Sequence, residues 1–173
     1  DDAGGRFAID TASGAITVAN GGLLNYEAAA SHPITVRITD GVGQTHDQVF
    51  AISLANVDEP PAIASVTLTV AEGQTVTLAP ADIVAADPEG ASLGYTLGSV
   101  SGGMFQLAGA PGIAIFAFTS GQLATGQVQF VDDGDEAAPA FSVSVDDGVH
   151  TTAPQAAGIV FIPANDSPAV QFG

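Results

Sequence analysis

Apolar and polar residues alternate with period two in short runs along most of the chain. In PITVRITD, Ile34, Val36 and Ile38 share one face, and Thr35, Arg37 and Thr39 share the other. QVFAISLAN sets Phe50, Ile52 and Leu54 on one side, SVTLTV does so with Val66, Leu68 and Val70, and AFSVSV with Phe141, Val143 and Val145. This alternation is the signature of half-buried strands in antiparallel sheets. Between the runs stand turn signals: ASG, NGG, TDGVG, EGQ, DPEG, SGG, GAPG, DDGDE and VDDGV. Many short strands at this spacing predict an all-β fold of sandwich type. One helical turn is predicted, at PADIVAAD.

The pattern also repeats. TVRITDGV (residues 35–42) is followed by DQVFAISLANVDEPP, and SVSVDDGV (residues 142–149) by TTAPQAAGIVFIPANDSP. Each half runs strand, Asp-Gly turn, strand, then an acidic, Asn-containing segment ending in proline. Asp40 and Asp147 lie 107 positions apart, about the length of one sandwich domain. The expected boundaries are a partial repeat over 1–59, a full repeat over 60–167, and the start of a further repeat or an exchanged strand over 168–173. Pro60–Pro61 reads as a stiff extended connector. The opening DDAGGRFAIDTASGAITV reads as the middle of a domain, so the first repeat is expected to lack its N-terminal strands. Its open sheet edge then has to be filled or blocked.

Charge changes the picture. Arg6 and Arg37 are the only Lys or Arg against 19 acids, for a net charge of −17. Residues 130–149, FVDDGDEAAPAFSVSVDDGV, hold six acids and no base. Two like charges about 4 Å apart repel by about 4 kcal/mol at a surface-like dielectric, so such a cluster needs distance, solvent or a cation. Hydrophobic content of 46% in strand-length runs argues against acidic disorder. At this charge nucleic acid and anionic lipid surfaces are not expected as partners. Runs such as AGIVFI are too short to insert in a bilayer, and no basic leader with an apolar stretch opens the chain, which reads as a mature or excised segment.

With no Cys there are no disulfides or thiolate metal sites. His32, His46 and His150 never fall at HxxxH or HxH spacing and read as polar surface or strand-edge residues. Ca²⁺ takes six to eight oxygens in irregular geometry, which acids on separate turns supply by converging. Each DG, DDG or DPEG is equally an ordinary turn in which Asp bonds its own backbone. No enzyme is expected: there is no GxSxG, no phosphate loop, no RTX nonapeptide, no Trp and only two Tyr to line a glycosidase cleft.

GRFAIDTASGAITVANGGLLNYEAAASHPITVRITDGVGQ…FAISLANVDEPP resembles the second half of a bacterial cadherin repeat. From Ala62 to Asp166 the chain is similar to cadherin-like repeats of the chondroitin-sulfate-proteoglycan (NG2) type, through AEGQTVTL, DPEG, FTSGQLATGQVQFVDDGDE and FSVSVDDG. The resemblance implies tandem Ig-like or cadherin-like antiparallel sandwiches, with Ca²⁺ held between consecutive repeats. It places Glu27 as a bidentate ligand with Asn25 in an acid's position, and Asn56, Asp58 and Glu59 in the linker. From the following repeat come Asp87, Glu89 and either Asp146 or Asp147. Glu72 would serve the next junction with Asn165 and Asp166, and Asp40 the preceding one. Glu stands for Asp at two of these positions and Asn for an acid at two more, which implies fewer or weaker ions than the family's full cluster.

The function so implied is a calcium-stiffened structural or adhesive segment of a secreted or cell-surface bacterial protein, such as an adhesin stalk or extracellular filament. Its partners would be neighbouring repeats of the same or identical chains, and a cell-surface glycan or protein. Two alternatives stand beside it. One is a ligand-binding module using loops such as SGGMFQLAGAPG. The other is a self-assembling subunit whose partial first repeat receives SPAVQFG from a neighbour.

Overall fold

A computed structural model describes residues 1–164, which fall into two units, Asp1–Asp58 and the chain from Glu59 onward. In the first unit β1 (Phe7–Ile9) pairs antiparallel with β2 (Ile16–Val18), and β3 (Ser31–Thr39) with β4 (Thr45–Ser53). The second hairpin closes through Asp40–Gln44. There Asp40 Oδ1 accepts the backbone N–H groups of Val42 and Gln44 at 2.9 and 2.8 Å, the short-range bonding that suits Asp to turns. Of the alternating set Ile34, Val36 and Ile38, Ile34 is buried and Ile38 is 62% exposed. Phe7 and His32 are buried together, their rings 6.1 Å apart. His32 is therefore an interior residue, not the surface or edge position its spacing suggested.

The second unit is built from β5 (Ala62–Ala71), β6 (Thr75–Thr77), β7 (Ile83–Ala86), β8 (Gly94–Ser101), β9 (Gly103–Leu107), β10 (Ala110–Ala114), β11 (Ala117–Thr119), α1 (Ser120–Ala124), β12 (Val128–Asp132), β13 (Ala140–Asp146), β14 (Gln155–Ala156) and β15 (Gly158–Ile162). Its sheets run β10-β9-β12-β6, β11-β8-β13-β14 and β15-β5-β7. Inward residues from all three form one core: Val66, Leu68 and Val70 on β5, Tyr95 and Leu97 on β8, Val128 and Phe130 on β12, and Phe141, Val143 and Val145 on β13. At its centre Phe105 meets Phe130 and Phe141 edge-on, with centroids 5.1 and 4.9 Å apart, the geometry aromatic quadrupoles favour. The fold is all-β.

Three local expectations are corrected. PADIVAAD is a turn leading into β7, because Ile83 faces the core at 2% exposure and Ile83–Ala86 pair with β5. The helical turn lies instead at α1, where Thr119 and Gln122 form a reciprocal capping box. SGGMFQLAGAPG is the β9–β10 hairpin rather than a free loop, with Phe105 and Gln106 buried. Finally, one pairing is not antiparallel: β15 lies parallel to β5, Gly158 opposite Thr67 and Ile162 opposite Ala71.

Candidate metal centre

Strand register carries the acids of the second unit to two opposite poles. At the leading pole Ala62 of β5 pairs with Ala86 of β7, so Glu59 and the DPEG turn stand at one end. Asp146, the last residue of β13, pairs with Gly94, the first of β8, which brings Asp146 and Asp147 to that same end. At the trailing pole stand Glu72, just past β5, Asp132, which ends β12, and Ala164.

The leading pole is short of donors. Asp87 Oδ1 accepts the Ala91 N–H at 2.8 Å, while its Oδ2 is buried and receives no hydrogen bond. Asp147 Oδ1 accepts the N–H groups of Val149 and His150, both at 2.7 Å, and its Oδ2 is likewise buried and without a hydrogen bond. Across from it, His150 Nδ1 is 3.8 Å away. These backbone bonds, His150 first and Val149 next, hold the Asp147 carboxyl below the ordinary aspartate value against its own desolvation. The oxygens of Glu59 and Glu89 come within 4.8 Å of one another. Glu89 is held below its ordinary value chiefly by a hydrogen bond from the Glu59 carboxyl, opposed by desolvation and by repulsion from Asp147. Two carboxyls this close need a shared proton or a cation.

The arrangement separates Asp146 from Asp147. Asp146 Oδ1 accepts the Gly148 N–H at 2.9 Å and its Oδ2 the Thr151 hydroxyl. Both of its oxygens are engaged, which leaves Asp147 as the one of the pair with an oxygen to offer. Glu72 stands at the trailing pole, its Oε2 accepting the Ala164 N–H at 2.8 Å; Asn165 and Asp166 lie outside the described residues. In the first unit, Asn25 Oδ1 accepts the Ala28 N–H at 2.5 Å and so caps the turn that carries Glu27. Glu27, Asn56 and Asp58 are exposed positions, and Asp40 is engaged in its own turn.

Asp132 was not among the expected ligands. It is 4% exposed, its Oδ1 accepting from Gly73 at 2.8 Å and Gly134 at 3.1 Å, with Oδ2 buried and without a hydrogen bond. Alternation in VQFVD places it inward with Val128 and Phe130, a signal present in the sequence. At the leading pole His150, set aside on spacing, sits with its Nδ1 3.8 Å from Asp147 Oδ2.

The donor set at the leading pole is mainly carboxylate oxygen, with His150 Nδ1 beside Asp147 and one buried oxygen on each of Asp87 and Asp147 that receives no hydrogen bond. That composition fits a hard cation such as Ca²⁺, and the irregular spacing suits its loose geometry better than the strict octahedron of Mg²⁺.

Among known proteins, the family model described as Cadherin-like matches residues 60–162. The crystal structure of DIP-gamma IG1+IG2 aligns over 89% of this chain and 81% of its own, at 14% identity and a TM-score of 0.41. No curated protein matches the chain significantly.

Proposed function

Because the chain belongs to the cadherin-like family, whose modules serve adhesion or structural repeats, we propose that it is a calcium-stiffened repeat segment of a secreted or cell-surface bacterial protein. The single observation that carries the calcium reading is the crowding at the leading pole, where Glu59 and Glu89 oxygens come within 4.8 Å of one another and Asp87 and Asp147 each keep a buried oxygen that receives no hydrogen bond. Without a cation these groups stay together by retaining protons or by giving way to solvent. Glu59, Asp87, Glu89 and Asp147 would hold the Ca²⁺, which would supply the positive charge that lets the DPEG turn, the β13 end and the start of the unit stay together. The acids at the trailing pole, Glu72 foremost, supply the corresponding contact to whatever repeat follows. Extracellular modules of this kind hold Ca²⁺ with dissociation constants of about 10⁻⁴ to 10⁻³ M, in keeping with a location outside the cell. Among the described residues no helix is long and apolar enough to cross a membrane.

The test is calorimetric titration of the chain with Ca²⁺, together with melting in millimolar Ca²⁺ and in chelator. Tenfold excess over the dissociation constant stabilises by about 1.4 kcal/mol, seen as a rise of a few degrees in Tm. The double change Asp87→Asn, Glu89→Gln abolishes both the heat and the rise. Identical melting curves in calcium and chelator would refute the reading.

A further inference from the structure

We propose that the open edge of β7 in the second unit takes up an extended segment of a different protein as an added β-strand, a segment of alternating apolar residues flanked by Lys or Arg. β7 (Ile83–Ala86) is bonded to β5 on one side and ends its sheet. A cleft of about 430 Å³ runs along it, lined by Ile83 and Ala85, by Leu93 and Tyr95, and by Leu123 and Ala124 of α1. Every lining residue belongs to the second unit.

The edge is unpaired where the cleft runs. The Asp82 carbonyl accepts the Thr67 N–H at 2.7 Å, so the Asp82 backbone faces β5. Successive strand residues point their backbone groups to opposite edges, which turns Ile83 and Ala85 away from β5 and Val84 and Ala86 toward it. Neither Ile83 nor Ala85 makes a backbone bond to a loop among the described residues. A strand laid there gains their N–H and C=O groups, and its alternate side chains enter the cleft. The cleft also holds a polar group still to be met. Tyr95 is 4% exposed, and burial, opposed by no hydrogen bond, raises its hydroxyl above the ordinary tyrosine value. A buried hydroxyl without a partner is costly, and an incoming strand brings polar groups to it.

Charge selects the occupant. Asp87 lines the cleft at one end of β7 and Asp82 stands at the other, and no Lys, Arg or His is among the lining. Asp82 is fixed by the Ala79 N–H, which donates to its Oδ2 at 2.7 Å. An acidic strand is repelled there, and a basic one is drawn in by Asp82 and by the net charge of −17. A second copy has no base to offer. Arg37 is committed to Asp47 through two bonds of 2.7 Å, and Arg6 donates to the Leu23 and Ala3 carbonyls. The sequence has no other Lys or Arg, so the basic segment comes from a different protein. This inference does not rest on the calcium reading: Asp87 belongs to the metal centre, but Asp82 and the outward groups of Ile83 and Ala85 do not.

The test uses the full chain in chelator, with fluorescein-labelled peptides followed by polarisation and amide exchange read by NMR. The peptide KTVTVTK is expected to bind and to slow exchange of the Ile83 and Ala85 N–H groups, and ETVTVTE to bind at least tenfold more weakly. Ala85→Pro deletes an outward N–H and spares the bonds to β5, a change edge strands tolerate. It is expected to abolish binding with Tm little altered. Ala124→Lys, at an exposed position lining the cleft, keeps the test open should the proline variant not fold, and is expected to weaken KTVTVTK at least tenfold. Any of four results would overturn the proposal: no binding of KTVTVTK; equal binding of the two peptides; binding that protects amides away from β7 or survives these variants; or light scattering that shows copies of the chain pairing through this edge, lost in Ala85→Pro.

Discussion

Asp132 and Gly73 are joined by a 2.8 Å hydrogen bond from the glycine N–H to the carboxylate, across 59 positions of chain. The backbone supports the same contact, since the Asp132 N–H donates to the Gln74 carbonyl at 2.9 Å. A buried anion is thereby met by backbone dipoles from two turns rather than by a base. It fastens the turn after β5 to the end of β12, which sets the trailing pole of the unit.

Asp132→Ala removes both bonds accepted by that carboxylate. Hydrogen bonds to charged groups contribute about 1.5–3 kcal/mol each, so a loss of about 2–4 kcal/mol is expected after partial relaxation. Asp132→Asn keeps an acceptor and costs less. Urea denaturation reads both, and an Ala variant within 0.5 kcal/mol of the parent would show that the link carries nothing.

The aromatic centre is expected to be as sensitive. Phe105→Ala opens a cavity between Phe130 and Phe141 and should cost about 3–5 kcal/mol, with Phe105→Leu milder. Differential scanning calorimetry of the second-unit transition checks the order; equal effects would contradict the edge-on packing.

Gly103 sits at φ +147°, and a Cβ there would lie 2.3 Å from the Val131 carbonyl oxygen and 2.6 Å from the Phe130 ring. Gly103→Ala is expected to destabilise by about 1–3 kcal/mol, whereas Gly109→Ala, with nothing within 4 Å, should be close to neutral. The paired melting temperatures decide it. Similar values for the two would mean that β9 and β12 separate easily.

Asp147 gives a signed pH dependence. Its folded value is lowered below the ordinary 3.8 by the His150 and Val149 N–H groups. Its contribution is thus fully present above about pH 4 and is lost as pH falls through the lowered folded value. In chelator, Asp147→Asn should flatten the acid limb of the stability curve and leave its slope near neutrality alone. An unaltered acid limb would remove Asp147 from the account.

How much of this could be read in advance depends on what the alternation encodes. β5 and β13 were legible because Val66, Leu68, Val70 and Phe141, Val143, Val145 recur without interruption. β9 and β10 were not, since the glycines and proline of SGGMFQLAGAPG read as turn chemistry, and only the buried contacts of Phe105 and Gln106 reveal a hairpin. The Thr119–Gln122 box was in the sequence but marks a helix of a single turn, too short to generate a periodic signal. Partner choice is invisible to alternation altogether, which is why the parallel β15–β5 pairing was missed. At the site, the DPEG acids were recognisable as a motif. The distinction between Asp146 and Asp147 depends on Thr151 and Gly148 reaching the first of them, and Asp132 was passed over as part of an acidic loop although its place on β12 faces inward.

The parallel register of β5 and β15 has a consequence for load. In the second unit β5 begins at Ala62 and β15 ends at Ile162, and Ile162 lies opposite Ala71, at the far end of a ten-residue strand about 30 Å long. A pull on the two ends acts along the strands in opposite senses. It shears the rungs from Gly158 to Ile162 together, whereas an antiparallel pair pulled from one end would unzip rung by rung. The strands through which a tethered module takes strain are thus the ones set to resist it.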